Sequence, residues 1–156
     1  MEKGPCILVA EDSADDVLII RKDLSQSFIR PQLFVVKDGQ ECIDYLNGSG
    51  VYADRAQHSF PDLLLLDLTM PRKNGFQVLE WIRSRPGFKN LPVVILTCSQ
   101  KLYDMTTAYQ LGANSFLLKP PSQKDLSELS RFLPLRFLLP LDSSEIPPKT
   151  AVSDPS

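Results

Sequence analysis

The chain has 156 residues, of which 43% are hydrophobic and 23% are charged, and its formal net charge is −2. This length suits one domain with its own core, and the balanced charge offers no basic surface, so we expect neither nucleic acid nor a membrane as partner. The three cysteines show no C-x-x-C spacing and no segment is long enough to span a bilayer. We therefore expect reduced thiols and a cytoplasmic location.

Short apolar runs recur along the sequence and lack the alternation of half-exposed strands. They cover residues 6–10, 33–36, 63–66, 93–96 and 116–118. Continuous runs of this length predict strands that are buried on both faces, as in a parallel sheet.

Amphipathic segments with helical spacing lie between and after these runs. Their apolar positions are Val17, Ile20 and Leu24; Ile43 and Leu46; Phe76, Leu79 and Ile82; Leu102, Met105 and Tyr109; and Leu126, Leu129, Phe132 and Leu133. Ser122 is a suitable N-cap for the last helix, and glycines at 48 and 112 suit helix ends. The alternation predicts an α/β fold with a doubly wound sheet of five strands and five helices.

Two parts of the chain fit this pattern less well. Residues 48–61 form a long predicted loop, in which His58, the only histidine, is expected to be a solvated surface residue. Residues 1–133 are expected to form the domain. Residues 134–156 are expected to be an apolar, proline-punctuated extension followed by a mobile polar tail. Pro134 is expected to kink or stop the last helix, and the apolar run after it to pack on the domain or on a second subunit.

Polar residues follow the predicted strands where the carboxyl ends of a doubly wound sheet collect reacting groups. Glu11 and Asp12 follow the first run, Asp67 the third, Thr97 the fourth and Lys119 the fifth. Three neighbouring carboxylates repel one another unless a cation joins them, and their hard oxygens suit Mg²⁺. A carboxylate beside Mg²⁺ and a lysine can attack phosphorus and form an acyl phosphate.

These residues carry a family resemblance. Residues 6–133 resemble the receiver domain of two-component response regulators, through the segments Glu11-Asp12, Asp67-Leu68-Thr69-Met70-Pro71 with Asn74-Gly75, Leu96-Thr97 and Lys119-Pro120. The resemblance implies a flavodoxin-like five-stranded parallel sheet of order 2-1-3-4-5 with helices on both faces. It further implies a phosphorylation-dependent signalling switch rather than an enzyme.

The resemblance also implies a role for each site residue. Asp67 would be the phosphoacceptor, and Mg²⁺ would be bound by Glu11 through water, by Asp12, by Asp67 and by the backbone carbonyl of Thr69. Lys119 would contact the phosphoryl group.

A second group of implied roles concerns the response to phosphorylation. Thr97 would contact the phosphoryl group and form a switch pair with Phe116, and the Lys119-Pro120 peptide bond would be cis. Phosphorylation would remodel the surface made by the fourth helix, the fifth strand and the fifth helix.

Other interpretations of the same residues stay open at this stage. Asp67 alone could begin a turn, Glu11-Asp12 alone could cap a helix, and Thr97 or Phe116 alone could serve packing. An aspartyl-phosphate-forming phosphatase or phosphotransferase for small molecules is the alternative function. Haloacid-dehalogenase-like enzymes, however, carry a second aspartate two positions after the first, where this chain has Thr69. A flavin or nucleotide binder is disfavoured by the acidic segment 11–16, which would repel phosphate.

The resemblance extends to partners. A histidine kinase or phosphotransfer protein would donate the phosphoryl group, and the segments 48–61 and 71–75 resemble single-domain receivers that serve phytochrome-type kinases. Few residues follow the last helix, so output is expected through a downstream protein target or a homodimer. The homodimer would use the face of the fourth helix, fifth strand and fifth helix together with the extension.

Overall fold

The computed structural model describes residues 4–26, 30–134 and 137. Strands and helices alternate along these residues. In chain order they are β1 (Cys6–Ala10), α1 (Ala14–Ser25), β2 (Gln32–Val36), α2 (Gly39–Asn47), β3 (Leu63–Leu66), α3 (Gly75–Ser84), β4 (Val93–Thr97), α4 (Leu102–Gln110), β5 (Ser115–Leu118) and α5 (Gln123–Ser127), with 3₁₀ turns at Gly50–Tyr52 and Glu128–Phe132. No helix within the described ranges has the length and apolarity needed to cross a membrane.

The five strands form one parallel sheet in the order β2-β1-β3-β4-β5, which confirms the predicted fold. Every residue of β1, β3 and β4 is buried, whereas β2 and β5 at the two edges are mostly half-buried. Central parallel strands are covered on both faces, and this is why they read as continuous apolar runs.

Successive side chains of a strand point to opposite faces of the sheet and pack into two separate hydrophobic cores. In β1, Leu8 and Ala10 face a core that α2, α3 and α4 cover, while Ile7 and Val9 face a core that α1 and α5 cover. The helices therefore lie on both faces of the sheet, as expected. They contribute unequally: α2 and α3 each bury several residues, but Ala108 is the one fully buried residue of α4.

Helix ends follow the capping residues in the sequence. The side chains of Ser13, Asp38 and Asn74 cap α1, α2 and α3 by accepting a backbone N–H from the first turn. Gly48 ends α2 with a left-handed φ of 70°, and Gly112 follows α4 with a φ of 107°. Both glycines lie where the sequence predicts helix ends.

The loop after α2 is more ordered than its polar sequence indicates. The Arg55 guanidinium donates to the carbonyls of Tyr45 at 2.9 Å, Leu46 at 2.8 Å and His58 at 3.1 Å, and so ties the loop to the end of α2. The ring of His58 packs edge-on against Tyr45 and Tyr52, and its Nδ1 atom is buried. The expectation that His58 is a solvated surface residue is therefore wrong, because neighbouring aromatic rings cover it.

The last helix ends before the proline that follows it. Ser122 caps α5 as predicted, and after Ser127 the chain tightens into the 3₁₀ turn, which stops at Phe132. Leu133 is extended, with φ −102° and ψ 154°, as a residue before proline prefers. Most of the extension 134–156 lies outside the described residues, so its packing and the boundary at 133 stay predictions.

Candidate functional site

The strand register brings the predicted site residues to one edge of the sheet. Asp67 donates its backbone N–H to the carbonyl of Ala10 at 3.1 Å, which places it beside Glu11. Lys119 donates its backbone N–H to the carbonyl of Thr97 at 2.9 Å. The residues that follow β1, β3 and β5 and the last residue of β4 therefore lie side by side.

Three carboxylates converge at this edge. Oxygens of Glu11, Asp12 and Asp67 lie within 4.8 Å of one another; Glu11 and Asp67 are buried, and Asp12 is exposed. Thr69 points its backbone N–H toward Asp67 Oδ1 at 3.4 Å. All four residues line an open cavity of about 690 Å³. Hard carboxylate oxygens beside open space fit a Mg²⁺ ion, which binds one or two carboxylates and retains several waters.

Lys119 supplies the one ammonium group at the centre of this cluster. Its Nζ atom contacts Glu11 Oε1, lies 2.9 Å from Asp16 Oδ2 and lies 3.3 Å from Asp67 Oδ2. Only 8% of the Lys119 side chain is exposed, so water screens these ion pairs poorly. The three carboxylates around one ammonium leave the cluster with surplus negative charge, which favours a further cation.

The same crowding shifts the ionisation of two groups. Burial raises the pKa of Glu11 to about 7, and the charge of Asp67 adds to this, while the Lys119 contact opposes it. Burial alone would lower the pKa of Lys119, but hydrogen bonds to Glu11 and Asp16 and the charge of Asp67 outweigh it and raise that pKa. Lys119 is therefore charged at neutral pH, and Glu11 exchanges its proton near neutrality.

The predicted switch residues differ in position. Thr97 is buried in the cavity wall, where its Oγ1 atom accepts the N–H of Ser99 at 3.4 Å. Phe116 is half-buried and packs against the core under α2, α3 and α4. The Lys119-Pro120 peptide bond is cis.

Some residues of the cavity do not follow from the sequence. Asp16 reaches Lys119 from α1, and Lys101 and Asp104 line the cavity from the start of α4. A carboxylate in the first turn of a helix normally indicates capping, and no local pattern marks it as a partner of a distant lysine. Cys98 is exposed and also lines this cavity, whereas Cys6 and Cys42 are buried.

Comparison with known families identifies this arrangement. Residues 7–131 match the family described as response regulator receiver domain. The chain belongs to this family. Receiver domains act in phosphorylation-dependent signalling and bind Mg²⁺ at an acidic pocket, and Glu11, Asp12 and Asp67 form an acidic cluster of this kind.

Individual receivers show the similarity over most of both chains. Response regulator Rcp1 from Synechocystis is 36% identical over 123 residues, which is 79% of this chain and 82% of that protein. The Mn²⁺-bound form of Rcp1 superposes with a TM-score of 0.69 at 35% identity, over 80% of this chain and 88% of that one. The phosphorylated cyanobacterial phytochrome response regulator RcpA superposes with a TM-score of 0.71 at 35% identity, over 81% and 88% of the two chains.

Proposed function

We propose that Asp67 is the phosphoacceptor of this receiver domain and that a histidine kinase or a phosphotransfer protein donates the phosphoryl group. The observation that carries this assignment is the position of Asp67. Its carboxylate is buried beside two further carboxylates, opens onto the cavity and lies 3.3 Å from the Lys119 ammonium. An anionic nucleophile with positive charge beside it is what phosphoryl transfer needs.

The transfer exchanges one bond to phosphorus for another. A carboxylate oxygen of Asp67 attacks the phosphorus of a phosphohistidine, the P–N bond breaks, and the imidazole leaves with the electron pair and takes up a proton. The product is an acyl phosphate on Asp67. The Lys119 ammonium and the Thr97 hydroxyl contact phosphoryl oxygens, and the acidic cluster would hold a Mg²⁺ ion that would supply further positive charge to the same group.

The metal ligands follow from the acidic cluster. We assign them as Asp12 and Asp67 directly, Glu11 through water, and the backbone carbonyl of Thr69. The support is chemical, because these are oxygen donors around an open cavity and their negative charge exceeds what Lys119 neutralises.

Phosphorylation alters the charge at one end of the sheet, and a switch pair transmits the change. The acyl phosphate adds strong acceptor oxygens, which draw the hydroxyl of Thr97 toward the phosphoryl group. Phe116, on the neighbouring strand, then repacks. Both residues adjoin the face made by α4, β5 and α5, which we assign as the output surface.

The proposed output surface exposes several large apolar side chains to solvent. Leu102 and Tyr103 at the start of α4 are 73% and 75% exposed, and Tyr109 and Leu118 also reach solvent. We propose that this face binds a downstream protein target or a second copy of the chain. By analogy with RcpA, which is described as a phytochrome response regulator, the donor kinase is of phytochrome type.

A charged substitution on the output surface tests whether this surface forms a homodimer or binds a separate target protein. Sedimentation of the full chain with Mg²⁺ and beryllofluoride, a phosphoryl mimic, is expected to show a dimer that Tyr103→Asp abolishes. Leu18→Asp on α1 is the matched control, because Leu18 is similarly exposed, at 63%, on another helix. If unmodified protein stays monomeric, the homodimer is excluded and a separate target remains.

The phosphoacceptor assignment is tested with acetyl phosphate and Mg²⁺. Intact-mass spectrometry is expected to show one added phosphoryl group on the unmodified chain and none on Asp67→Asn. Asp54→Asn, which removes an exposed carboxylate in the loop after α2, is the control and stays phosphorylated. Persistent phosphorylation of Asp67→Asn would show the assignment to be wrong.

We also propose that the chain does not act as an enzyme on separate substrates but assists its own phosphorylation and dephosphorylation. The alternative is a phosphatase or phosphotransferase for small molecules. Multiple-turnover release of phosphate from a panel of phosphorylated metabolites would establish that alternative. A single phosphorylation per chain supports the receiver function.

A further inference from the structure

Asp16 makes an interaction that its sequence position does not suggest. The spacing Ser13-x-x-Asp16 matches Ser122-x-x-Asp125 at the start of α5, where serine and aspartate exchange hydrogen bonds at 3.0 Å in both directions. In α1 only half of this box forms, since Ser13 Oγ accepts the Asp16 N–H at 3.2 Å. The Ser13 N–H donates instead to Glu11 Oε2 at 3.1 Å, which leaves the Asp16 carboxylate available for another partner.

That partner is the ammonium of Lys119, 2.9 Å from Asp16 Oδ2. An ammonium has three N–H donors, and here three carboxylates surround it: Glu11, Asp16 and Asp67. Glu11 and Asp67 belong to the group of oxygens that suits a divalent cation, together with Asp12. Of the three carboxylates, Asp16 alone is outside that group.

We propose that Asp16 is a positioning residue, which retains the Lys119 ammonium at the site when Glu11 and Asp67 take part in binding Mg²⁺. The ammonium then stays in place to contact the incoming phosphoryl group. This inference rests on the proposed function of Asp67 and Lys119. Without the Asp16 charge, Lys119 pairs more strongly with the two remaining carboxylates. Mg²⁺ must then compete with the lysine for the same oxygens, and its affinity falls.

The neighbouring residue Asp15 supplies a matched control. It carries the same charge in the same helical turn, but it is exposed and is not among the residues that line the cavity. Asp15→Asn therefore reproduces the change in net charge and in the helix-end interaction without touching Lys119. Asp16→Glu keeps the carboxylate on a longer side chain and is the conservative variant.

Calorimetric titration of the full-length chain with Mg²⁺ provides the main measurement. Asp16→Asn is expected to weaken binding about fivefold, the scale of one partly buried ion pair, and Asp15→Asn less than about twofold. Asp16→Glu is expected to stay within about twofold of the unmodified chain. The same order is expected for beryllofluoride binding in the presence of Mg²⁺, and urea unfolding verifies that each variant is folded.

Repeating the Asp16 and Asp15 substitutions in a Lys119→Met protein distinguishes a role in positioning Lys119 from a merely structural role. In Lys119→Met the ammonium is gone, so Asp16→Asn should weaken Mg²⁺ binding no more than Asp15→Asn does. Equal effects of the two asparagine variants in the native background would overturn the inference, as would an undiminished Asp16→Asn effect beside Lys119→Met. The proposed function is tested separately: phosphorylation of Asp67→Asn would refute it, whereas the comparison of the Asp15 and Asp16 variants is made with Asp67 intact.

Discussion

Gly75, the first residue of α3, lies against the backbone of the proposed phosphoacceptor. A Cβ atom at this position would lie 2.4 Å from the carbonyl oxygen of Asp67 and 2.8 Å from the Cα atom of Leu68. The Gly75 N–H also donates to the Leu68 carbonyl at 2.9 Å, so the two segments are held together. Because both obstacles are backbone atoms, Gly75→Ala must push α3 and the end of β3 apart.

The free-energy change follows from two opposing effects. Overpacking of a rigid contact destabilises a protein by about 1–3 kcal/mol. Alanine recovers part of this, up to about 1 kcal/mol, because it is the better helix former. We expect Gly75→Ala to lower the free energy of unfolding by about 1–2 kcal/mol, the middle of the range that these two effects span. Gly87→Ala is the control: its Cβ meets nothing within 4 Å, so stability stays equal or rises by about 0.4–1 kcal/mol.

Urea unfolding followed by Trp81 fluorescence measures the stability of both variants. Mg²⁺ titration measures the second expected effect, since a displaced Asp67 backbone moves one of the proposed ligands. Gly75→Ala is expected to lose Mg²⁺ affinity and Gly87→Ala to retain it. If both variants match the unmodified chain in unfolding and in Mg²⁺ binding, the close approach of α3 to Asp67 does not constrain the site.

Three further predictions concern ionisation, thiol access and the loop after α2. Because the pKa of Glu11 is raised to about 7, Mg²⁺ affinity should rise with pH up to about 7 and then level off, and Glu11→Gln should remove this dependence. Labelling of the folded chain with a thiol reagent should modify Cys98, which is exposed, and spare Cys6 and Cys42, which are buried; beryllofluoride with Mg²⁺ should slow that labelling. Arg55→Ala should lower the free energy of unfolding by about 1.5–3 kcal/mol, since a charged donor to three carbonyls is lost.

The raised pKa of Glu11 also determines the direction in which it makes the free energy of unfolding depend on pH when Mg²⁺ is absent. Its pKa in the folded state exceeds the ordinary carboxyl value of about 4.3, so the folded state binds more protons between these two pH values. The contribution of Glu11 is therefore fully present below about pH 4 and is lost as the pH rises through about 7. Stability that increases over this interval because of Glu11, judged against Glu11→Gln, would contradict the raised pKa.

The thiol-labelling and Arg55→Ala predictions each have a control. Unfolding in denaturant should expose all three thiols, so equal labelling of folded and unfolded chains would contradict the burial of Cys6 and Cys42. Arg72→Ala provides the comparison for Arg55→Ala, since the Arg72 side chain is 60% exposed and its pair with Asp38 contributes little. Equal destabilisation by the two alanine variants would show that the carbonyl contacts of Arg55 are unimportant.

The fold and the main site could be predicted because the signals are local. Continuous apolar runs mark strands that two layers of helices cover, and polar residues directly after those runs must meet at one edge of the sheet. Glu11, Asp67 and Lys119 follow from this rule alone. Asp16 could not be predicted, because its sequence context fits helix capping equally well. Only the fold, which brings the start of α1 close to Lys119, decides between the two partners. The partial burial of His58 could not be predicted for a similar reason, since it depends on contacts with the rings of Phe34 and Tyr45 outside its loop.

The thin anchoring of α4 has a consequence for motion. Local opening of a helix requires less free energy when few apolar side chains leave the core, and α4 withdraws one fully buried residue, Ala108, where α2 and α3 withdraw several. Its backbone amides should therefore exchange with deuterated solvent sooner than those of its two neighbours on the same face. A small change in charge beside Thr97 should therefore redistribute the conformations of α4 more readily than those of α2 and α3.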